Sequence, residues 1–167
     1  MDPELLNYPD RCQKIVQSFY DIPILSLVTD IDNFFNKTED PEKGGIYIYT
    51  GSPVGNGAGR GWERPACIEL FGGSQQHDLE TTCAIRIHGG HSRLPEKNPK
   101  HSFRLKFKSA YGPSKLNYPV FGDAYETEFN SLVLRCFFGN SWTEWGSGKR
   151  AQYTRDLWVR MMQKKLG

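Results

Sequence analysis

The sequence predicts an α+β domain of mostly antiparallel strands, with a short helix near its N-terminus and an amphipathic helix at its C-terminal end. Three observations point there. Apolar residues recur at every second position in several short runs, the period of a half-buried strand. Turn residues separate those runs, in a chain with 17 glycines and 10 prolines. Over 151–166 the apolar period changes to that of a helix. A composition of 38% hydrophobic, 13% aromatic and 24% charged residues excludes a disordered chain and a membrane-spanning one. With 167 residues, one domain is expected.

Each element has its own signal. Residues 1–20 form a leading segment in which 10–20 suits a short helix, with Ile15, Val16 and Phe19 on one side. Pro23 ends it. A β-rich body over 22–135 follows. Ile24 to Val28 reads as a buried strand, and Thr29 to Asn33 as a turn or cap in which Asp30 and Asp32 serve the backbone. Gly45 to Tyr49 is the second predicted strand, followed by a loop over 51–61 with five glycines. Further strands are expected at 65–71, 83–87, 101–107 and 132–135. In 151–167 the apolar line Tyr153, Leu157, Met161 has Trp158 and Met162 beside it. Asp156 lies early, Lys164 and Lys165 lie in the last turn, and Gly167 suits the position after the cap. That helix is expected to lie on the sheet.

Charge is concentrated in one place. Residues 85–108 hold Arg86, Arg93, Lys97, Lys100, Arg104, Lys106 and Lys108 against Glu96. This gives +6 locally on a chain of formal charge +2, so the remainder is net acidic by four. Alternation puts Phe103, Leu105 and Phe107 on one side of a strand and Ser102, Arg104, Lys106 and Lys108 on the other. Arg86, between Ile85 and Ile87, points away from the core. The intervening Gly89-Gly90-His91-Ser92-Arg93 lets backbone N–H groups approach an anion. Backbone donors with Arg or Lys are what phosphate recognition needs. The same pattern also describes a solvated cationic edge strand.

The stretches Ala84-Ile85-Arg86-Ile87-His88-Gly89-Gly90-His91-Ser92-Arg93 and Pro99-Lys100-His101-Ser102-Phe103-Arg104-Leu105-Lys106-Phe107 resemble the CotH kinase family, the spore-coat-type atypical kinases. Further landmarks follow in matching order: Ile22 to Asp30, Gly45-Ile46-Tyr47, Trp62 to Ala66, Tyr111-Gly112, Leu116 to Phe121, Leu132 to Arg135, and Arg155-Asp156. The resemblance runs from about residue 20 to 167. His91 and His101 depart from it, standing where the family often has Ser and Lys.

The resemblance implies a β-rich region similar to a kinase N-lobe, binding ATP with Mg²⁺ and acting on a protein substrate. Gly89 and Gly90, with Ser92, would cover the phosphates. Lys100, Arg104 or Lys106 would contact them, supported by Arg86 and Arg93, and Asp156 would orient a phosphate-binding lysine. The family's catalytic and metal-binding acids fall in a later segment. The resemblance therefore implies an N-terminal part, catalytically incomplete alone, whose partner is the missing C-terminal half. The start at Met1 lacks the basic and apolar regions of a signal peptide, although family relatives are often exported or surface-associated. Localisation stays open.

Other constellations carry less. His88, His91 and His101 lie in or beside the hairpin but are surrounded by cations, which repel a metal, so a place near phosphate contacts or on an exposed strand is expected for them. The aromatics Phe103 and Phe107 face away from the cations, which argues against nucleic acid. Trp142 and Trp145 suit either a loop anchor or a sugar platform, so a non-catalytic surface or assembly module for protein or glycan is the alternative. The four cysteines, Cys12, Cys67, Cys83 and Cys136, show no C-x-x-C pair and read as free thiols, or as two disulfides in an exported protein. Asn36-Lys37-Thr38 is a glycosylation tripeptide of the kind that arises by chance. No apolar run approaches the roughly 20 residues of a membrane span.

Overall fold

A computed structural model describes residues 9–21, 23–38, 40, 42–46, 62–72, 78–89, 92, 100–122, 124–136 and 161–166. Helix α1 (Pro9–Asp21) starts on a proline, which has no N–H to leave unsatisfied, and stops before Pro23. Its Ile15 is half-buried, whereas Val16 is exposed. Strand β1 (Ile24–Val28) follows. The stretch expected as a turn then forms one helical turn, α2 (Ile31–Phe35). Asp30 caps it, its carboxylate accepting the Asp32 N–H at 2.9 Å.

The main sheet contains β1, β2 (Arg64–Phe71), β3 (Leu79–His88), β4 (Ser102–Lys106) and β7 (Ser131–Leu134). Their order is β1-β2-β3-β4-β7, and every neighbouring pair is antiparallel. A small hairpin, β5 (Leu116–Asn117) with β6 (Glu128–Phe129), interrupts the path from β4 to β7. Mixed α+β architecture dominated by an antiparallel sheet is therefore what this chain adopts.

Period-two alternation selects the core face. Leu25 and Leu27 on β1, Ala66 and Ile68 on β2, Cys83, Ile85 and Ile87 on β3, and Phe103 and Leu105 on β4 share one side of the sheet. Ile85 and Leu105 stand directly opposite each other, and both are fully inaccessible. Ile46, Trp62, Phe107, Leu116 and Tyr118 belong to the same buried cluster. Burying a side chain such as Leu105 stabilises the fold by about 1.5–3 kcal/mol.

Arg64 also lies on this side, in register with Ile85, and is 5% exposed. Its guanidinium donates to the Gly44 carbonyl and, at 2.9 Å, to the Glu63 carbonyl. It also lies over the Trp62 ring at 5.7 Å. Burial pushes its pKa down from the ordinary value. The arginine thereby ties the 36–46 segment to the start of β2.

Several sequence expectations need correction. Gly45 and Ile46 lie in a turn rather than a strand, packed against the core, because their N–H groups bond to the Asn36 and Asn33 carbonyls at 2.8 Å each. Residues 47–61 lie outside the described residues. Strand β3 is longer than 83–87, because its β-branched Thr81 and Thr82 continue the pairing with β2. Residues 161–166 are helical, here called α3. They do not lie buried on the sheet: all six are exposed, Met161 at 52% and Met162 at 47%. Residues 151–160 lie outside the described residues. No helix among the described residues is long and apolar enough to cross a membrane.

Candidate anion-binding face

The side of the sheet opposite the core carries the charges. Arg86 on β3 and Arg104 on β4 are direct cross-strand partners, and Lys106 stands opposite Ala84. Lys108 follows just beyond β4. Alternation in the sequence assigns Arg104, Lys106 and Lys108 to the polar side of one strand and Arg86 to the polar side of the strand before it. Ala84 is fully buried, a small side chain between longer ones.

Glu63, the residue before β2, organises three of these cations. Its carboxylate accepts from Lys106 Nζ at 2.8 Å and from Lys108 Nζ at 2.5 Å. Arg86 approaches it at 3.8 Å, the outer limit of an ion pair. The Glu63 side chain is only 9% exposed. Burial pushes its carboxyl upward, but hydrogen bonds from Lys106 and Lys108 and their charges outweigh that push. The carboxyl therefore sits below its ordinary value.

Arg104 differs. Its Nε is buried and has no hydrogen-bond partner among the described residues. Arg86 faces it on one side and Val133 on the other. Two like charges placed directly across an antiparallel pair repel. An unsatisfied buried donor costs about 1–3 kcal/mol. An anion seated against Arg104 would relieve both terms.

The turn end of the β3–β4 hairpin is built by packing. Gly89 has φ +114°, and a Cβ there would overlap the Ser92 hydroxyl, so glycine is required on both counts. Ser92 is 9% exposed, and its carbonyl lies 3.2 Å from His101 Nδ1. His101 is 5% exposed. It anchors the turn from inside, in contrast to the exposed or phosphate-side position expected for it. Ser102 is also buried, contrary to its expected place in the cation row. It exchanges hydrogen bonds with Cys136, donating to Sγ at 3.1 Å and accepting from the backbone N–H at 3.0 Å. Lys100 is exposed at the hairpin end. Gly90, Arg93 and Asp156 lie outside the described residues, as do Trp142, Trp145 and Trp158.

Of the expected site residues, the fold thus brings Arg86, Arg104 and Lys106 together, with Gly89, Ser92 and Lys100 at the nearby hairpin end. Glu63 is the member that residue patterns missed. Its neighbours Trp62 and Arg64 are buried, so alternation alone puts Glu63 on the polar side. Only strand register tells which cations it meets.

The donor set suits a phosphate group: a buried, unsatisfied guanidinium N–H with further cations around it. Among the described residues no group of three or more His, Cys, Asp or Glu side chains is placed to hold a metal ion. The four cysteines are free thiols, with Cys83 and Cys136 buried. Burial and the nearby Cys67 push the Cys83 thiol up to about 11, so it is not a thiolate at neutral pH. Compared with known proteins, the chain matches no family model, no curated protein and no solved structure.

Proposed function

We propose that this chain binds the phosphates of a nucleotide on the cationic side of its sheet, as the N-terminal region of a CotH-like atypical protein kinase. Catalysis would then require acids supplied by another segment, together with ATP, Mg²⁺ and a protein substrate. The observation that carries the reading is Arg104, a half-buried guanidinium whose Nε lacks a partner and which faces another arginine. Phosphoryl-transfer sites work by positioning and charge neutralisation, which cations on a rigid sheet can supply. Lys100, exposed at the hairpin end, would reach the outer phosphates. The test is calorimetric titration of ATP, with and without Mg²⁺, into the 167-residue chain. Arg104→Ala is expected to weaken binding at least tenfold and Lys100→Ala less. Equal affinity in wild type and both variants overturns the assignment.

A second reading, a non-catalytic surface or assembly module, has one observation in its favour. Ile31, Phe121 and Val28 are exposed at 71%, 60% and 57%. Such side chains suit a protein contact rather than a phosphate. Glycan binding that survives Arg104→Ala but is lost in Trp142→Ala or Trp145→Ala would favour it.

A further inference from the structure

We propose that Glu63 is a built-in competitor for the ligand: its carboxylate holds Lys106 and Lys108 until an incoming phosphate takes them over. This rests on the phosphate reading of the same face. It goes further by dividing the cations into two classes with different duties.

The geometry supplies the division. Lys106 and Lys108 donate to opposite oxygens of one carboxylate, at 2.8 Å to Oε1 and 2.5 Å to Oε2. Glu63 therefore presents an oxyanion to the lysines much as a phosphate would. Each ammonium commits one of its three N–H groups and much of its charge to the carboxylate, so a ligand gains less from it while Glu63 stays in place. Arg86 is shared, lying 3.8 Å from the same carboxylate and directly across from Arg104. Arg104 is the seat left open, with its Nε unsatisfied. A phosphate first meets Arg104, then draws Arg86, and recruits the lysines last.

Electrostatics explains why the competitor is tolerated. Four cations crowd one face, and the Glu63 carboxylate is in contact with three of them. The carboxylate lowers that repulsion in the free protein. The same contact reduces affinity, since the carboxylate already neutralises the same ammonium charges that would attract the ligand. The side chain is also attached to the strand, so it competes at high effective concentration whatever the solution contains.

The test titrates tripolyphosphate, which carries the phosphate chemistry without a base, into the full chain at low salt. Wild type, Glu63→Gln and Arg104→Gln are compared. Removing the competing charge is expected to tighten binding about tenfold, the scale of one charge-assisted hydrogen bond. R104Q is expected to weaken it by a similar factor. Should E63Q bind equally or more weakly while R104Q still loses affinity, Glu63 is a positioning residue, and the competition is overturned with the phosphate reading intact. Should tripolyphosphate bind none of the three, the phosphate reading itself fails and takes this inference with it. Wild type alone gives a second readout if E63Q does not fold. The ¹³C signal of the Glu63 carboxyl should titrate at clearly higher pH in saturating tripolyphosphate, because its lysine partners have left. An unchanged midpoint overturns the proposal.

Discussion

The two ends of the sheet's polar side carry opposite charge and handle it differently. Near the turn of the β3–β4 hairpin stand Arg86 and Arg104, directly paired. Towards the other end of β3 stand Glu69 and Glu80, also directly paired. Six residue steps along β3 separate the two like-charge pairs, about 20 Å at strand rise and beyond the screening length of physiological salt. The acidic pair is left to solvent, with Glu80 exposed and Glu69 half-buried. The basic end is partly enclosed and carries its own counter-ion, Glu63, at 9% exposure. Water alone suffices where both groups are accessible. Where guanidinium groups are half-buried, the protein supplies an anion, and the Arg104 Nε is left without a hydrogen-bond partner among the described residues.

Four perturbations sharpen that contrast. The largest effect is expected from Glu63→Ala, which strips the counter-ion from the partly enclosed cations. It should destabilise the protein by about 2–3 kcal/mol in urea denaturation, the scale of lost charge-assisted hydrogen bonds. A loss under 0.5 kcal/mol would mean that solvent already screens the basic end.

Acid acts on the same carboxylate more gently. The folded-state pKa of Glu63 is lowered, so its stabilisation is complete above the ordinary value of 4.5. It is lost as pH falls through the lower folded-state value. Denaturation midpoints followed from pH 6 downward should fall by less in E63Q than in wild type over this window. Parallel curves would remove Glu63 from the acid response.

Glu80→Lys should convert the exposed like-charge pair into an attractive one and add about 0.2–1 kcal/mol. No gain would show that solvent has already cancelled the repulsion at that end. The smallest change is expected from Lys115→Ala, which breaks its ion pair with Glu128 on the β5–β6 hairpin. Both partners are nearly half exposed, so the melting temperature should hardly move.

The strands were legible because their apolar residues alternate. Ile24 to Val28, Pro65 to Phe71 and His101 to Phe107 fall on β1, β2 and β4 within a residue or two. The β5–β6 hairpin escaped notice because two-residue strands carry too little periodicity to be read. Helix α2 escaped because a single turn offers a cap but no face. At the candidate site the cation row was legible for the same reason as the strands. Its internal division was not. Glu63 meets Lys108 across 45 residues of sequence, a contact fixed by register and side-chain reach. Ser102 was misplaced because alternation assigns a face without saying whether another segment covers it, and here Cys136 does. His101 was misplaced because its cationic neighbours were weighed above its parity, which it shares with Phe103 and Leu105.

The order of the strands also has a kinetic side. Short connections over 72–78 and 89–101 join β2, β3 and β4 in sequence, so their pairing closes small loops. Strand β7 reaches β4 only after the excursion over 107–130. Local contacts form fastest, so β7 is expected to add last and detach first. Arg104 lies between β3 and this late edge, opposite Val133. Its surroundings are therefore complete only once the final strand has docked. A ligand gripping Arg104 should then act as a latch, slowing amide hydrogen exchange along β7 more than along β2.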